Sequence, residues 1–188
     1  MKKVALIVCL MLLAGCSANY PLTTTLHLHS DRQSGGVYDQ TITARLRGHD
    51  ARQESAVVAY RLDQPEILLP NETEPHALLT SQLAQGLLQQ GLEFKENAPI
   101  HIQLNLEHLL ADVSRPKILY NATAKSHITL IVSNRGTTLS KTYKREANRE
   151  SATRPTLADL EMMLNEQLSD IVSQILEDRE VRDAIRRH

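Results

Sequence analysis

Tryptophan is absent from this 188-residue chain, phenylalanine occurs once, and aromatics make up 3% of residues. A core must therefore be assembled from Leu, Ile, Val and Ala. Cysteine is nearly absent as well, with only Cys9 and Cys16. There is no Cys-x₂-Cys or His-x₃-His spacing of the kind zinc sites use. No Gly-x-Ser-x-Gly elbow is present. The one glycine pair, Gly35-Gly36, does not open a helix, which argues against a phosphate cradle. Charge of one sign is also lacking: 21 basic residues face 22 acidic ones. That balance excludes the basic footprint of a nucleic-acid binder. A long hydrophobic run is missing too. The longest, Val4 to Leu13, is about half the roughly 20 residues a bilayer-spanning helix requires.

That short run sits in a recognisable setting. Lys2 and Lys3 precede it, and small residues close it at Leu13-Ala14-Gly15-Cys16, the layout of an export signal. The tetrad resembles the lipobox of bacterial lipoproteins. The resemblance implies cleavage between Gly15 and Cys16, and an S-diacylglyceryl, N-acyl lipid on Cys16. Ser17 follows the cysteine, where an aspartate would resemble an inner-membrane retention signal. The expected location is therefore the periplasmic side of the outer membrane, with the lipid as the membrane attachment. The expected organisation is a signal over 1–15, a lipidated tether over 16–24, and a single periplasmic domain over 25–188. Removing 15 of 188 residues leaves 173, enough for one real core. Lys2 and Lys3 leave with the signal, so 21 basic residues become 19 against 22 acidic, a formal charge of −3. With Cys9 removed and Cys16 acylated, no intramolecular disulfide can form, and stability must come from packing.

Downstream, alternation and helical spacing mark the elements. Leu26-His27-Leu28-His29 alternates weakly. Thr41–Arg47 and Ala56–Leu62 read as two strands, most simply a hairpin. Pro65 and Pro70 bracket an expected edge strand at Glu66–Leu69. Leu79, Leu83 and Leu87 step by four and predict a helix over about 74–90, with Thr73 as N-cap, Pro75 in the first turn and Gly91 as C-cap glycine. Ile100, Ile102, Leu104 and Leu106 alternate on even positions, whereas Leu109, Ala111 and Val113 continue on odd ones. One inserted residue does this, so a β-bulge is expected near Glu107–His108. Ile118, Tyr120, Ala122, Ala124, Ile128, Leu130 and Val132 form the next apolar face. A turn at Ser114-Arg115-Pro116 then sets Val113 opposite Ile118 and Ala111 opposite Tyr120. A second turn at 134–136 leads to a third strand over Thr137–Lys144, whose face stays open, and then to a loop or frayed strand end over Glu146–Arg154. Thr156 and Asp159 resemble a capping box, opening a helix whose stripe is Leu157, Leu160, Leu164, Leu168, Ile171 and Ile175. Val181 and Ile185 are spaced to dock a final turn. The fold class that follows is α+β: a two-layer sandwich, mostly antiparallel, with two amphipathic helices covering one sheet face.

Several pieces together resemble the YajG family of bacterial lipoproteins. They are Leu13–Cys16, Leu110-Ala111-Asp112-Val113-Ser114, Tyr120-Asn121-Ala122-Thr123-Ala124-Lys125, and the polar stretch leading into the Thr156 helix. The chain departs from that pattern at Arg115-Pro116, where a glycine-bearing turn is expected. The resemblance implies an outer-membrane lipoprotein without settled activity, and it brings no catalytic or binding residues.

The residues themselves point to a non-enzymatic module. The eight histidines, including His27, His29, His101 and His127, read as surface groups, and no metal or cofactor is expected beyond the lipid. Asp112, beside a turn on an apolar strand, is either a binding-site acid or a turn-capping carboxylate. Tyr120 reads as a core or edge aromatic. The expected partner face comprises His101, Gln103, Asn105, Asp112, Tyr120, Thr123, Lys125 and His127, turned to another envelope protein or to peptidoglycan. The alternative from a different class is a small hydrolase or ligand-binding lipoprotein acting on cell-wall material, which would need a pocket near Asp112 or the histidines. Arg182, Arg186 and Arg187 complement the negative end of the last helix; a contact with lipid phosphate or peptidoglycan is the other use they could serve.

Overall fold

A computed structural model describes residues 22–29, 35–39, 41–62 and 64–187. The expected signal, Gly15, Cys16 and the tether up to residue 21 lie outside the described residues. In chain order the elements are β1 (Thr43–Asp50), β2 (Ala56–Tyr60), β3 (Ile67–Pro70), α1 (Pro75–Gln89), β4 (Glu93–Phe94), β5 (Ile100–Ser114), β6 (Tyr120–Asn134), β7 (Thr137–Ser151), α2 (Leu157–Glu177) and α3 (Arg179–Arg186).

β5, β6 and β7 form an antiparallel meander of three 15-residue strands. The bulge lies at Glu107: Leu106 pairs with Ile128 and His108 with His127, leaving Glu107 without a partner. Because of that one residue, Ile100 to Leu106 on even positions and Leu109 to Val113 on odd ones face the same core. The β5–β6 register differs from the expected one by four residues, with Val113 opposite Ala122 and Ala111 opposite Ala124. Four is even, so the core face survives, but Ile118 belongs to the turn and is 80% exposed. The turn at the other end is a two-residue hairpin loop. Arg135 (φ 49°) and Gly136 (φ 79°) both take positive φ, as the tight turn between right-twisted strands demands. It fixes Leu139 opposite Val132 and Tyr143 opposite Ile128, so both face the core. β7 runs on to Ser151 instead of fraying after Lys144. Residues 146–151, polar except for Ala147, pair with β6 all the way to Tyr120.

The expected β1–β2 hairpin does not form. Both strands lie along the free edge of β5, parallel to it: Ala44 to Asp50 along Ile100 to Leu106, and Val58 to Tyr60 along Ala111 to Val113. The connection between them spans the bulge. The Ala51 N–H donates to the Leu106 carbonyl at 2.9 Å, and the Arg61 N–H to the Val113 carbonyl at 2.8 Å. β4 adds to β1 in parallel and β3 to β2 antiparallel, so β3 is an edge strand as expected. The α+β class holds. The sheet is a curled, mixed one of seven strands, in place of a mostly antiparallel sheet in a two-layer sandwich.

The helices pack against the core side. α1 begins at Pro75 with Glu74, not Thr73, in the N-cap position and no side-chain cap. It ends in a Schellman motif: Leu92 N–H donates to Leu87 O and Gly91 N–H to Leu88 O, both at 3.0 Å, with Gly91 at φ 100°. α2 opens on the Thr156–Asp159 capping box, in which the two bonds are reciprocal. Gly86 is where α1 and α2 meet. A Cβ there would lie 2.3 Å from Leu176 Cδ1, so the missing methyl is what allows the close approach. Asp178 joins α2 to α3 and accepts the Glu180 N–H at 3.0 Å, and Val181 and Ile185 dock into the core. At the end of α3, Asn134 Nδ2 donates to the carbonyls of Ala184, Ile185 and Arg187.

Candidate functional site

Alternation places a run of polar side chains on the sheet face opposite the helices. On β5 these are His101, Gln103 and Asn105 before the bulge and His108 and Asp112 after it. On β6 they are Thr123, Lys125 and His127. Contacts along and across the strands order them: on β5 Gln103 Nε2 donates to Asn105 Oδ1 at 2.8 Å, and between β6 and β7 Lys125 Nζ pairs with Glu146 at 3.0 Å and Thr129 and Thr142 share a hydrogen bond of 2.8 Å. Seven of the eight expected partner-face residues share this surface. Tyr120 is the exception. Its even position on β6 turns it to the core side, half-buried, with the Arg115 guanidinium 4.8 Å from its ring centre.

His101 and His127 share this face but are not neighbours on it. His101 pairs with Ser133, six residues along β6 from His127, about 20 Å at strand rise. The neighbour of His127 is His108, their ring centres 5.4 Å apart. His108 was not singled out from the sequence, because the bulge alone aims it at this face. Burial, aided by the nearby His127 and Lys125, pushes its pKa below the ordinary histidine value.

Asp112 caps no turn. It is ion-paired to Arg61, which also grips Glu66 and stands 3.9 Å from Glu54. The hydrogen bond that Arg61 Nε donates to Asp112 raises the Arg61 pKa further. The cluster ties the end of β2 to β5 and to the β2–β3 connection.

His27 and His29 lie on an extended strap, residues 22–29, that runs along α2 outside the sheet. Thr25 N–H donates to Glu161 (2.8 Å), His27 N–H to Asn165 (2.9 Å) and His29 N–H to Ser169 (3.3 Å). Two extended residues rise about 6.6 Å and four helical residues about 6 Å, so alternate strap amides meet every fourth helix residue. The intervening Leu26 is buried, and its N–H donates to Asn71 Oδ1 at 3.0 Å. A bridge from Thr24 to Asn71 fixes the start of the strap beside β3.

One group of metal-ligating types does assemble among the described residues: Asp50, Glu74 and His76 offer atoms within 4.8 Å of one another. Sequence reading missed it because β1 and α1 are distant in the chain. Asp50 already holds Arg52 through both carboxylate oxygens, at 2.8 to 3.2 Å, and this lowers its pKa. A cation there would have to displace a guanidinium. His76 also lines a groove of about 620 Å³ with Arg45, Thr80, Phe94, Lys95 and Glu96. A second groove, about 780 Å³, lies between the strap and α2. Neither is lined by Asp112, His101, His108 or His127. No helix among the described residues is long and apolar enough to cross a membrane.

The C-terminal arginines are engaged at the far end of the sheet. Arg182 donates to the Leu176 carbonyl at 2.9 Å, and Arg186 donates to the Val37 carbonyl beside the Tyr38 ring. Burial pushes the Tyr38 hydroxyl up to about 12, against the opposing pull of Arg182 and Arg186.

Residues 34–186 match the Lipoprotein_16 family, described as "Uncharacterized lipoprotein". The chain is 24% identical over 183 residues to the uncharacterized lipoprotein YajG of Escherichia coli K12, covering 97% of this chain and 95% of that one. Among solved structures it resembles protein XCC0632 from Xanthomonas campestris (TM-score 0.55, 11% identity, 83% of this chain and 93% of that one). It also resembles a putative neuraminyllactose-binding hemagglutinin homolog from Helicobacter pylori (TM-score 0.50, 9% identity, 86% and 96%). At these identities the two structures speak for the shared fold alone. The family match and the near full-length likeness to YajG lead to one conclusion: this chain belongs to the uncharacterized lipoproteins of the YajG family.

Proposed function

We propose that the protein is anchored by a lipid on Cys16 in the outer membrane, facing the periplasm, and serves as a non-catalytic binding or assembly module for another component of the envelope. The observation that carries this reading is the meander. Three 15-residue strands present a polar face, His101, Gln103, Asn105, Thr123, Lys125 and His127, and the outermost, β7, pairs on one side only. Such an edge accepts an added strand, and alternating side chains supply selectivity. The charges along β7, from Lys141 to Glu150, are the usual guard against indiscriminate pairing.

The test is photocrosslinking in intact cells from positions 103, 125 and 146. One discrete adduct with a protein or with peptidoglycan is expected; adducts with lipid alone overturn the binding role. Mass spectrometry of the mature N-terminus checks the acylation separately. The groove lined by Arg45, His76, Lys95 and Glu96 favours a second reading, a site for a small anionic ligand of cell-wall origin. Loss of ligand-induced thermal stabilisation in Arg45→Ala would support it; no stabilisation by any muropeptide would exclude it.

A further inference from the structure

We infer that the β5–β6 hairpin tip, Arg115–Leu119, is a second membrane contact, seating Ile118 and Leu119 in the interface of the anionic phospholipid leaflet that holds the anchor. The inference rests on the lipid-anchor reading above.

Three observations converge. The first is composition. Large apolar side chains exposed among the described residues number six, and four lie toward one end of the sheet: Leu22 (87% exposed), Leu68 (45%), Ile118 (80%) and Leu119 (43%). Lys117, also exposed, sits beside the tip pair. Apolar side chains flanked by cations are what an anionic interface takes up. The opposite end of the meander, Arg135-Gly136, carries no apolar side chain.

The second is where the chain enters. The Thr24–Asn71 bridge is parallel. β3 runs antiparallel to β2, and β2 runs parallel to β5. The chain preceding Thr24 therefore points toward the C-terminal end of β5, where the tip is. Two residues before Thr24 it is about level with Leu69, which pairs Val58, which pairs Ala111. From there to Ser114 is three residues, about 10 Å. Residues 16–21 span at most roughly 20 Å. An anchor at Cys16 therefore cannot let the body drift far, and it brings this end of the molecule to the bilayer.

The third is order in the tip. Arg115 Nε donates to the Ile118 carbonyl at 3.1 Å while its guanidinium stacks on Tyr120. The turn is held with the Ile118 side chain outward, so little conformational freedom is lost on insertion. The arginines of α3, at the other end, are directed away from this surface.

The test uses the full acylated protein carrying Ile118→Cys. With Cys9 removed and Cys16 acylated, the new thiol is the only one, and it takes an environment-sensitive fluorophore. The control carries Thr138→Cys at the far end. In vesicles of phosphatidylethanolamine with phosphatidylglycerol, the label at 118 is expected to shift to the blue and to be quenched by spin-labelled lipid. The label at 138 stays aqueous. Omitting phosphatidylglycerol lowers the docking equilibrium about fivefold for each cation that loses its phosphate. If the protein floats with vesicles while the 118 label is as aqueous as the 138 label, the tip contact is refuted and the anchor stands. If the protein does not float, the anchor reading fails and the inference falls with it.

Discussion

Replacing Gln167 by leucine removes a buried polar link between α2 and β6 at the centre of the sheet. The Ser126 hydroxyl, fully buried, donates to Gln167 Oε1 at 2.7 Å. Gln167 Nε2 donates to the Ala124 carbonyl at 2.9 Å, and the side chain is 6% exposed. Leucine fills a similar volume, so the cavity is small and the cost is that of stranding the Ser126 hydroxyl. A buried unsatisfied polar group costs about 1–3 kcal/mol. At roughly 2–4 °C per kcal/mol for a protein of this size, a loss of about 2 kcal/mol lowers Tm by about 4–8 °C. Ser126→Ala strands Gln167 Oε1 instead and falls in the same range. The double variant removes both partners together and returns to within about 1 kcal/mol of the parent, because two apolar groups need no hydrogen bond. Thermal and urea unfolding of the acylated protein in mild detergent, followed by circular dichroism, gives all four corners of the cycle. A Gln167→Leu variant within about 0.5 kcal/mol of the parent, or two losses that simply add, would refute the reasoning.

Three further expectations can be checked by similar means. Gly86→Ala gains up to about 1 kcal/mol of helix propensity but drives a methyl into Leu176; the expected net effect is a loss of about 1–3 kcal/mol, relieved when Leu176→Ala is added, as unfolding curves would show. Asp178→Ala removes the cap of α3 together with the bonds from Tyr143 (2.9 Å) and Lys141 (2.7 Å), and should cost about 1–2 kcal/mol and expose α3 to proteolysis. Burial raises the Asp178 pKa, but those hydrogen bonds outweigh it, so its carboxyl titrates below the ordinary value. Its contribution is present above the unfolded pKa and is lost as pH falls through the folded one, which acid titration of stability would follow. His108 is the reverse in charge: with its folded pKa depressed, the unfolded chain takes up a proton first, and stability falls as pH drops below about 6.5. His108→Gln should flatten the Tm profile between about pH 7.5 and 5.5; an unchanged profile would show that other groups set it.

What the sequence disclosed and what it withheld divide along the range of the interaction. The bulge at Glu107 was legible because a phase slip is written in consecutive residues. So were the Thr156–Asp159 box, the Gly91 cap and the α2 stripe. The β5–β6 register was not, since Ile118 continues the alternation perfectly while serving the turn; only the fold of Arg115 back onto the Ile118 carbonyl reveals where the strand stops. The in-line placement of β1 and β2 depends on β5, some fifty residues away, and two short apolar runs in succession look like a hairpin. Gln167 is invisible to a stripe counted in apolar residues, although it is buried among them. Asp50, Glu74 and His76 meet only because Gly48 lets α1 lie against β1: a Cβ there would come within 2.0 Å of Thr80 Oγ1. Of the eight candidate residues, seven share one sheet face, as their alternation requires. Tyr120 lies on the core side, where its even position and its reading as a core or edge aromatic put it, and not on the partner face in which it was also included.

The strap has a mechanical consequence. It runs in the same direction as α2, and its bonds to Glu161, Asn165 and Ser169 are spaced along its length, with the Thr24–Asn71 bridge at the entry. Tension applied at Leu22 and drawn away from the sheet end therefore acts along the strap, and all these bonds resist together in shear instead of opening one after another. A body leashed from that end would withstand a tug far better than one pulled sideways, where the same bonds unzip singly.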